Sequence, residues 1–173
     1  MSYPPPRHLG DGTTEAALRL ADQAPELLLP GGGAVHHLAT QTSTRGDYGM
    51  FRLDMAASRS GPAPHFHRGM SEAFYVLHGT VSLFAGGGWT EAGAGDFLYV
   101  PPGGVHAFRN ESGSAASILI LFAPGAPRET YFAELAEIGS GRRILSAQEW
   151  DELYARHDQV MVDAEGLPGY RRP

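Results

Sequence analysis

The chain contains no cysteine. Disulfides, thiolate metal ligands and cysteine nucleophiles are excluded together, so any metal must be held by nitrogen and oxygen. Positive charge is also sparse. Thirteen Lys and Arg stand against 19 Asp and Glu, the formal charge is −6, and no basic cluster exceeds a pair. That balance speaks against a nucleic-acid or anionic-membrane surface. Long apolar runs are missing as well. The longest, Ala115 to Ala123 broken by Ser117, is far too short to span a bilayer, and the opening MSYPPPRHLG carries no signal core. These absences read as a soluble protein, cytoplasmic by default.

Turn residues are plentiful. Gly (23) and Pro (13) together make up about a fifth of the 173 residues, a length that suits one domain. They punctuate short runs rich in aromatic and branched residues: DYGMFRLDMAAS, EAFYVLHG, TVSLFA, DFLYVPPG, HAFRN and ASILILFAP. Short strands so spaced predict an all-β antiparallel sandwich or barrel. Beyond them the period changes to helical. Tyr131, Phe132, Leu135 and Ile138 recur on one side, and Ser146 with Glu149 forms a capping box ahead of Trp150, Leu153 and Tyr154. The expected organisation is an arm over 1–30 with a short helix near 13–24, a barrel over 31–125, and a helical appendage and tail over 126–173. Positions 1–12 and 164–173 read as mobile arms.

The segment PAPHFHRGMSEAFYVLHG, residues 62–79, carries the chemistry. Side chains at i and i+2 of a strand share a face, so His65 and His67 project together and Phe66 opposite. Glu72 opens the next strand and shares its face with Phe74 and Val76, and Gly79 ends it where a turn needs permissive dihedrals. Two imidazoles and a carboxylate on an interior face form a metal site lacking one ligand. The Pro101–Gly104 turn in GDFLYVPPGGVHAFRN can return His106 to that face.

These segments resemble the two motifs of the cupins, small metal-binding β-barrels of the jelly-roll type. The first motif, G-x5-H-x-H-x3–4-E-x6-G, is met from His65 through His67 and Glu72 to Gly79. Its opening glycine would fall at Arg59, and the nearest glycine is Gly61. The second, G-x5-P-x-G-x2-H-x3-N, is met at Gly95, Pro101, Gly103, His106 and Asn110. Fifteen residues, 80–94, separate the two, and the resemblance covers about 48–123. It implies a cupin barrel with C-terminal helices packed on it, and His65, His67, Glu72 and His106 as ligands to one divalent ion. Three neutral imidazoles and a carboxylate suit Fe, Ni, Mn, Co, Cu or Zn, and softness alone does not choose among them. Glu72 has a second possible role as a catalytic base. Buried, hydrogen-bonded polar residues or a metal-free relic of the family are the plainer explanation of the four.

The remaining residues take blander readings. Adjacent His36 and His37 face opposite sides of a strand and cannot chelate together. His78 sits at a rim, and His8 and His157 are expected to be solvated. Phe51, Leu53, Phe74, Val76 and Phe108 read as barrel core and also as the wall of a substrate pocket. Tyr131, Phe132, Trp150 and Tyr154 read as helix-to-barrel packing. Arg52, Arg59 and Arg68 could clamp an acidic substrate, but Arg52 faces outward on this register.

By resemblance the leading function is a dioxygenase of quercetinase type acting on a small enolic or phenolic substrate. A redox-silent isomerase, cyclase or decarboxylase and a non-enzymatic ligand-binding barrel are the alternatives. Barrels of this family commonly pair, so a homodimer is expected, with GGAVHHLATQ (32–41) as the exchanged strand.

Overall fold

The computed structural model describes residues 3–162. The tail expected at 164–173 lies outside them. Eleven strands form two antiparallel sheets. The six-stranded sheet runs β1 (Leu27–Leu28), β2 (Ala34–Ala39), β3 (Gly49–Met55), β10 (Ala116–Ala123), β5 (Ser71–His78), β8 (Phe97–Val100). The five-stranded sheet runs β11 (Val160–Met161), β4 (His65–Phe66), β9 (His106–Arg109), β6 (Thr80–Ala85), β7 (Gly88–Gly93). This is a jelly roll, with α1 (Arg128–Gly139) and α2 (Ala147–Arg156) following its last long strand. No helix among the described residues is long and apolar enough to cross a membrane.

Alternation builds the interior. On β3, Phe51, Leu53 and Met55 turn inward while Met50, Arg52 and Asp54 alternate with them; on β10, Ile118, Ile120 and Phe122 do the same. Because β10 lies between β3 and β5, its inward residues meet Phe51 and Leu53 on one side and Phe74 and Val76 on the other. Phe51 is fully buried, with its ring 5.9 Å from Phe122 and 5.1 Å from Phe132 of α1, so it fastens the first helix to the barrel. Ser146 accepts from the Glu149 amide and Glu149 reaches back to the Ser146 N–H, which is the capping box expected for α2.

Two turns require glycine. Gly79 has φ of 74°, and a Cβ there would lie 2.6 Å from the Ala115 carbonyl. Gly61 has φ of 134°, and its Cβ would fall 2.0 Å from the Phe108 carbonyl. The glycine displaced from the first motif thus lets the chain press against β9 at the mouth of the barrel.

Several expectations are corrected. Residues 13–20 are not helical, since Leu18 and Leu20 are 84% and 55% exposed and have no core to cover. A short helix without a buried face is marginal in water. The glycine-flanked β7 pairs with β6 although only its middle residues carry side chains suited to a strand. His157 is 8% exposed, not solvated: it closes α2, its Nε2 is 2.9 Å from Glu134, and its ring packs on Tyr131. Tryptophan and tyrosine marked the packed side of α2, but nothing local marked the residue that ends it.

Candidate metal centre

Three strands and the turn that follows one of them deliver the cluster. His65 lies on β4 opposite His106 on β9, and His67 follows directly after β4. Glu72 is the second residue of β5, opposite Phe122. One ligand atom from each of His65, His67, Glu72 and His106 lies within 4.8 Å of all the others. None of the four is more than 4% exposed.

Hydrogen bonding fixes what these atoms offer. Nδ1 of His65 is 2.8 Å from the Ala63 carbonyl, Nδ1 of His67 is 2.6 Å from that of Asp158, and Nδ1 of His106 is 3.0 Å from that of Gly104. A carbonyl only accepts, so each Nδ1 is assigned a proton, and each ring without a second proton turns an Nε2 lone pair inward. Those lone pairs meet a carboxylate: Glu72 Oε2 is 3.0 Å from His67 Nε2 and 2.7 Å from His106 Nε2. Four buried acceptors facing one point require protons or a cation between them. The residues therefore fit a divalent ion, with three imidazoles already oriented by outer hydrogen bonds.

The charge states follow. Burial pushes the His65 ring down to about 3, with the neighbouring His106 adding to the effect, so His65 is neutral across the physiological range. Burial alone would raise the Glu72 carboxyl, but hydrogen bonds from His106 and His67 outweigh it and hold the group well below the usual carboxylate range. Burial works against a charged His106, and the hydrogen bond to Glu72 overcomes it and raises the ring. Without metal, a proton is thus held between Glu72 and His106.

An ion entering this cluster must displace that proton. Zinc loading near pH 7 is expected to release about one proton per ion, read by calorimetry in buffers of differing ionisation enthalpy. Affinity should fall with pH as protons compete for the rings. For the apo fold, His65 has its folded value below the unfolded one. Its contribution is complete above about pH 6.5 and drains away as the pH falls toward about 3. The raised His106 acts oppositely, contributing below about pH 6.5 and losing its effect as the pH rises through its folded value.

Residues far along the chain hold the cluster in place. The Asp158 carboxylate accepts from the Arg68 amide at 3.0 Å and the Gly69 amide at 2.8 Å, while its own carbonyl takes His67 Nδ1. Asn110, fixed in the second motif, is a clamp and not a ligand: its Nδ2 donates to the Ala56 and Ser114 carbonyls. Asp158→Ala leaves His67 in place but frees the loop leading to Glu72. It should weaken metal binding about 10- to 100-fold in a chelator competition.

Above the cluster opens a cavity of about 500 Å³, lined by Glu72, His65 and mostly apolar side chains. Of the five sequence-expected wall residues, Leu53 and Phe108 line it. Phe51, Phe74 and Val76 do not; each is at most 1% exposed and packs in the core. The far wall comes from the appendage: Arg128, Tyr131, Phe132, Trp150 and Tyr154 all face the cavity. These aromatics do more than pack helices on the barrel. Arg128 is a cavity residue without a motif to mark it, and its one local signal is the Pro127-Arg128 step four residues beyond the last long strand. Arg52 pairs with Asp54 and lies off the cavity, as do Arg59 and Arg68.

Comparison with known proteins agrees with this geometry. Residues 51–122 match the cupin domain. Quercetin 2,3-dioxygenase of Bacillus subtilis (strain 168) is 30% identical over 142 residues, which span 79% of this chain and 39% of the dioxygenase. Among solved structures, KdgF from Halomonas sp. superimposes with a TM-score of 0.57 at 16% identity, covering 67% of this chain and 99% of that one. The polyketide cyclase RemF from Streptomyces resistomycificus gives 0.52 at 21%, covering 66% and 82%. Both motifs, the jelly roll and the family match lead to one assignment: residues 51–122 of this chain form a cupin domain.

Proposed function

We propose that this protein is a metal-dependent dioxygenase acting on a small enolic or phenolic substrate, with His65, His67, Glu72 and His106 holding the ion. The observation that carries the reading is the convergence of three carbonyl-oriented imidazoles and one carboxylate beneath a 500 Å³ cavity. That volume suits a drug-sized organic molecule. Similarity to a quercetin dioxygenase supports the reaction class.

When bound, a divalent ion supplies Lewis-acid polarisation of a substrate oxygen and, if redox-active, electron transfer with dioxygen. Glu72 borders both the ligand cluster and the cavity, so a Glu72 that does not coordinate the ion is placed to take the proton of a substrate hydroxyl and leave the oxyanion. Leu53, Phe108, Phe122 and Tyr131 hold the apolar body and keep water out. Covalent alternatives are few, because the sequence has neither cysteine nor lysine. We further propose a cytoplasmic homodimer. Tyr75 and Phe97, directly paired across β5 and β8, leave an apolar outer face with Tyr99 and Leu77 that a second copy would cover.

The reading is tested by elemental analysis of protein purified without added metal, followed by oxygen-electrode assays with flavonols and diketones. Oxygen consumption that tracks bound metal supports a dioxygenase. Turnover under nitrogen would transfer the assignment to a redox-silent isomerase, cyclase or decarboxylase, and binding without turnover to a ligand-holding barrel.

A further inference from the structure

Arg128 is the least expected residue in the cavity. It is 4% exposed and opens α1, where the positive end of the helix dipole makes a cation unfavourable. Among the described residues it takes part in no salt bridge. Nη1 donates to the His157 carbonyl at 3.0 Å, and the Nε N–H is buried without a partner. Three aromatic rings surround the guanidinium, with the centres of Tyr131 at 4.1 Å, Phe122 at 4.8 Å and Phe132 at 5.9 Å from its carbon. Burying a cation without a carboxylate costs several kcal/mol, and stacking returns only part of it. Glu72 and Asp158 are the carboxylates whose charge reaches it, but Glu72 is already engaged by His67 and His106, and Asp158 by the Arg68 and Gly69 amides. An ion in that cluster would leave the cavity more positive still.

We infer that Arg128 is the anion-recognising residue of the substrate site. Its free N–H edge receives a carboxylate or similar oxyanion on the substrate, whose apolar body lies along Phe122 and Tyr131. The substrate class is accordingly an aromatic or enolic acid with its acidic group remote from the oxygens directed at the metal cluster. This rests on the proposed function for the location of the reacting oxygens. The anion site itself stands on Arg128's burial, missing partner and position in the cavity wall.

The test uses matched probes measured under nitrogen: caffeate against methyl caffeate, and protocatechuate against its methyl ester. Each pair keeps the catechol and differs in one negative charge. Wild-type protein should bind the acid of at least one pair about tenfold more tightly than its ester. Arg128→Gln should bring that ratio close to one while ester affinity and metal content stay unchanged. Arg128→Lys, which keeps charge but loses the planar fork, should retain part of the preference. If the glutamine variant does not fold, Arg128→Met serves as the neutral variant, since its unbranched stem can still pack among the rings. A wild type without acid preference in either pair overturns the inference, and so does a preference that survives in the neutral variant. Equal loss for acid and ester would mark a purely structural residue and overturn it too. Metal content and oxygen uptake report separately on the proposed reaction. A protein without metal would defeat that reaction and leave the acid-to-ester ratio to judge Arg128.

Discussion

His67→Ala is expected to empty the metal site while the barrel stays folded. His67 contributes one of three inward lone pairs, and its Nδ1 ties the cluster to Asp158. Loss of an outer-shell partner alone lowers metal affinity about 10- to 100-fold, so loss of a ligand should exceed about 100-fold. Metal analysis after dialysis against a mild chelator should show wild-type protein loaded and the variant nearly empty. Stability should fall only modestly. The large apolar contacts belong to β3, β5 and β10, and His67 lies outside every strand. Circular dichroism matching wild type, together with lost metal, is the expected pair of results. A variant that keeps its full metal complement would remove His67 from the ligand set.

Phe51→Ala should produce the opposite pattern, a severe loss of stability with the ligand cluster intact. Phe51 is fully buried and meets Phe122, Phe132 and the edge of His37. Truncating a buried phenylalanine costs about 3–5 kcal/mol, a large part of the ~5–15 kcal/mol that holds a typical domain together. At this chain length that corresponds to a fall in Tm of about 6–20 °C. Because Phe51 joins α1 to the barrel, the variant should also loosen the wall carrying Arg128 and Tyr131. Calorimetric melting checks the first effect, and faster proteolysis within 126–140 checks the second. A change in Tm of a degree or less would mean that Phe51 borders open space after all.

The contrast between these residues explains what could be read from sequence. Ligand identity was accessible because His65 and His67 obey the period of a strand, and because each motif brackets its ligands with turn residues whose spacing has few other uses. The strands around the core were legible for the same reason. Depth was not. Alternation says that Phe51, Leu53, Phe74, Val76 and Phe108 point inward, but it cannot say how far along the barrel axis each one lies. Leu53 and Phe108 border the cavity, whereas Phe51, Phe74 and Val76 are sealed within the core. Arg128, Asp158 and His157 were hidden by a different limit. Their roles come from contacts spanning 29, 91 and 23 residues, which no local period encodes. The helix expected near 13–24 erred the other way, because local propensity suggested an element that has nothing to pack against.

The two-residue strand β4 has both of its neighbours later in the sequence: β9 on one side and β11, the last strand described, on the other. Val160 and Met161 pair with Phe66 and His65, and Asp158 secures His67. A nascent chain emerges from its N-terminus and can assemble the large sheet once β10 is free. The outer edge of β4, however, has no partner until residues 160–161 leave the ribosome, and His67 lacks its Asp158 carbonyl until then. Completion of the candidate metal site is therefore a late event in the life of each molecule, and prematurely terminated copies would carry a barrel with an unfinished mouth.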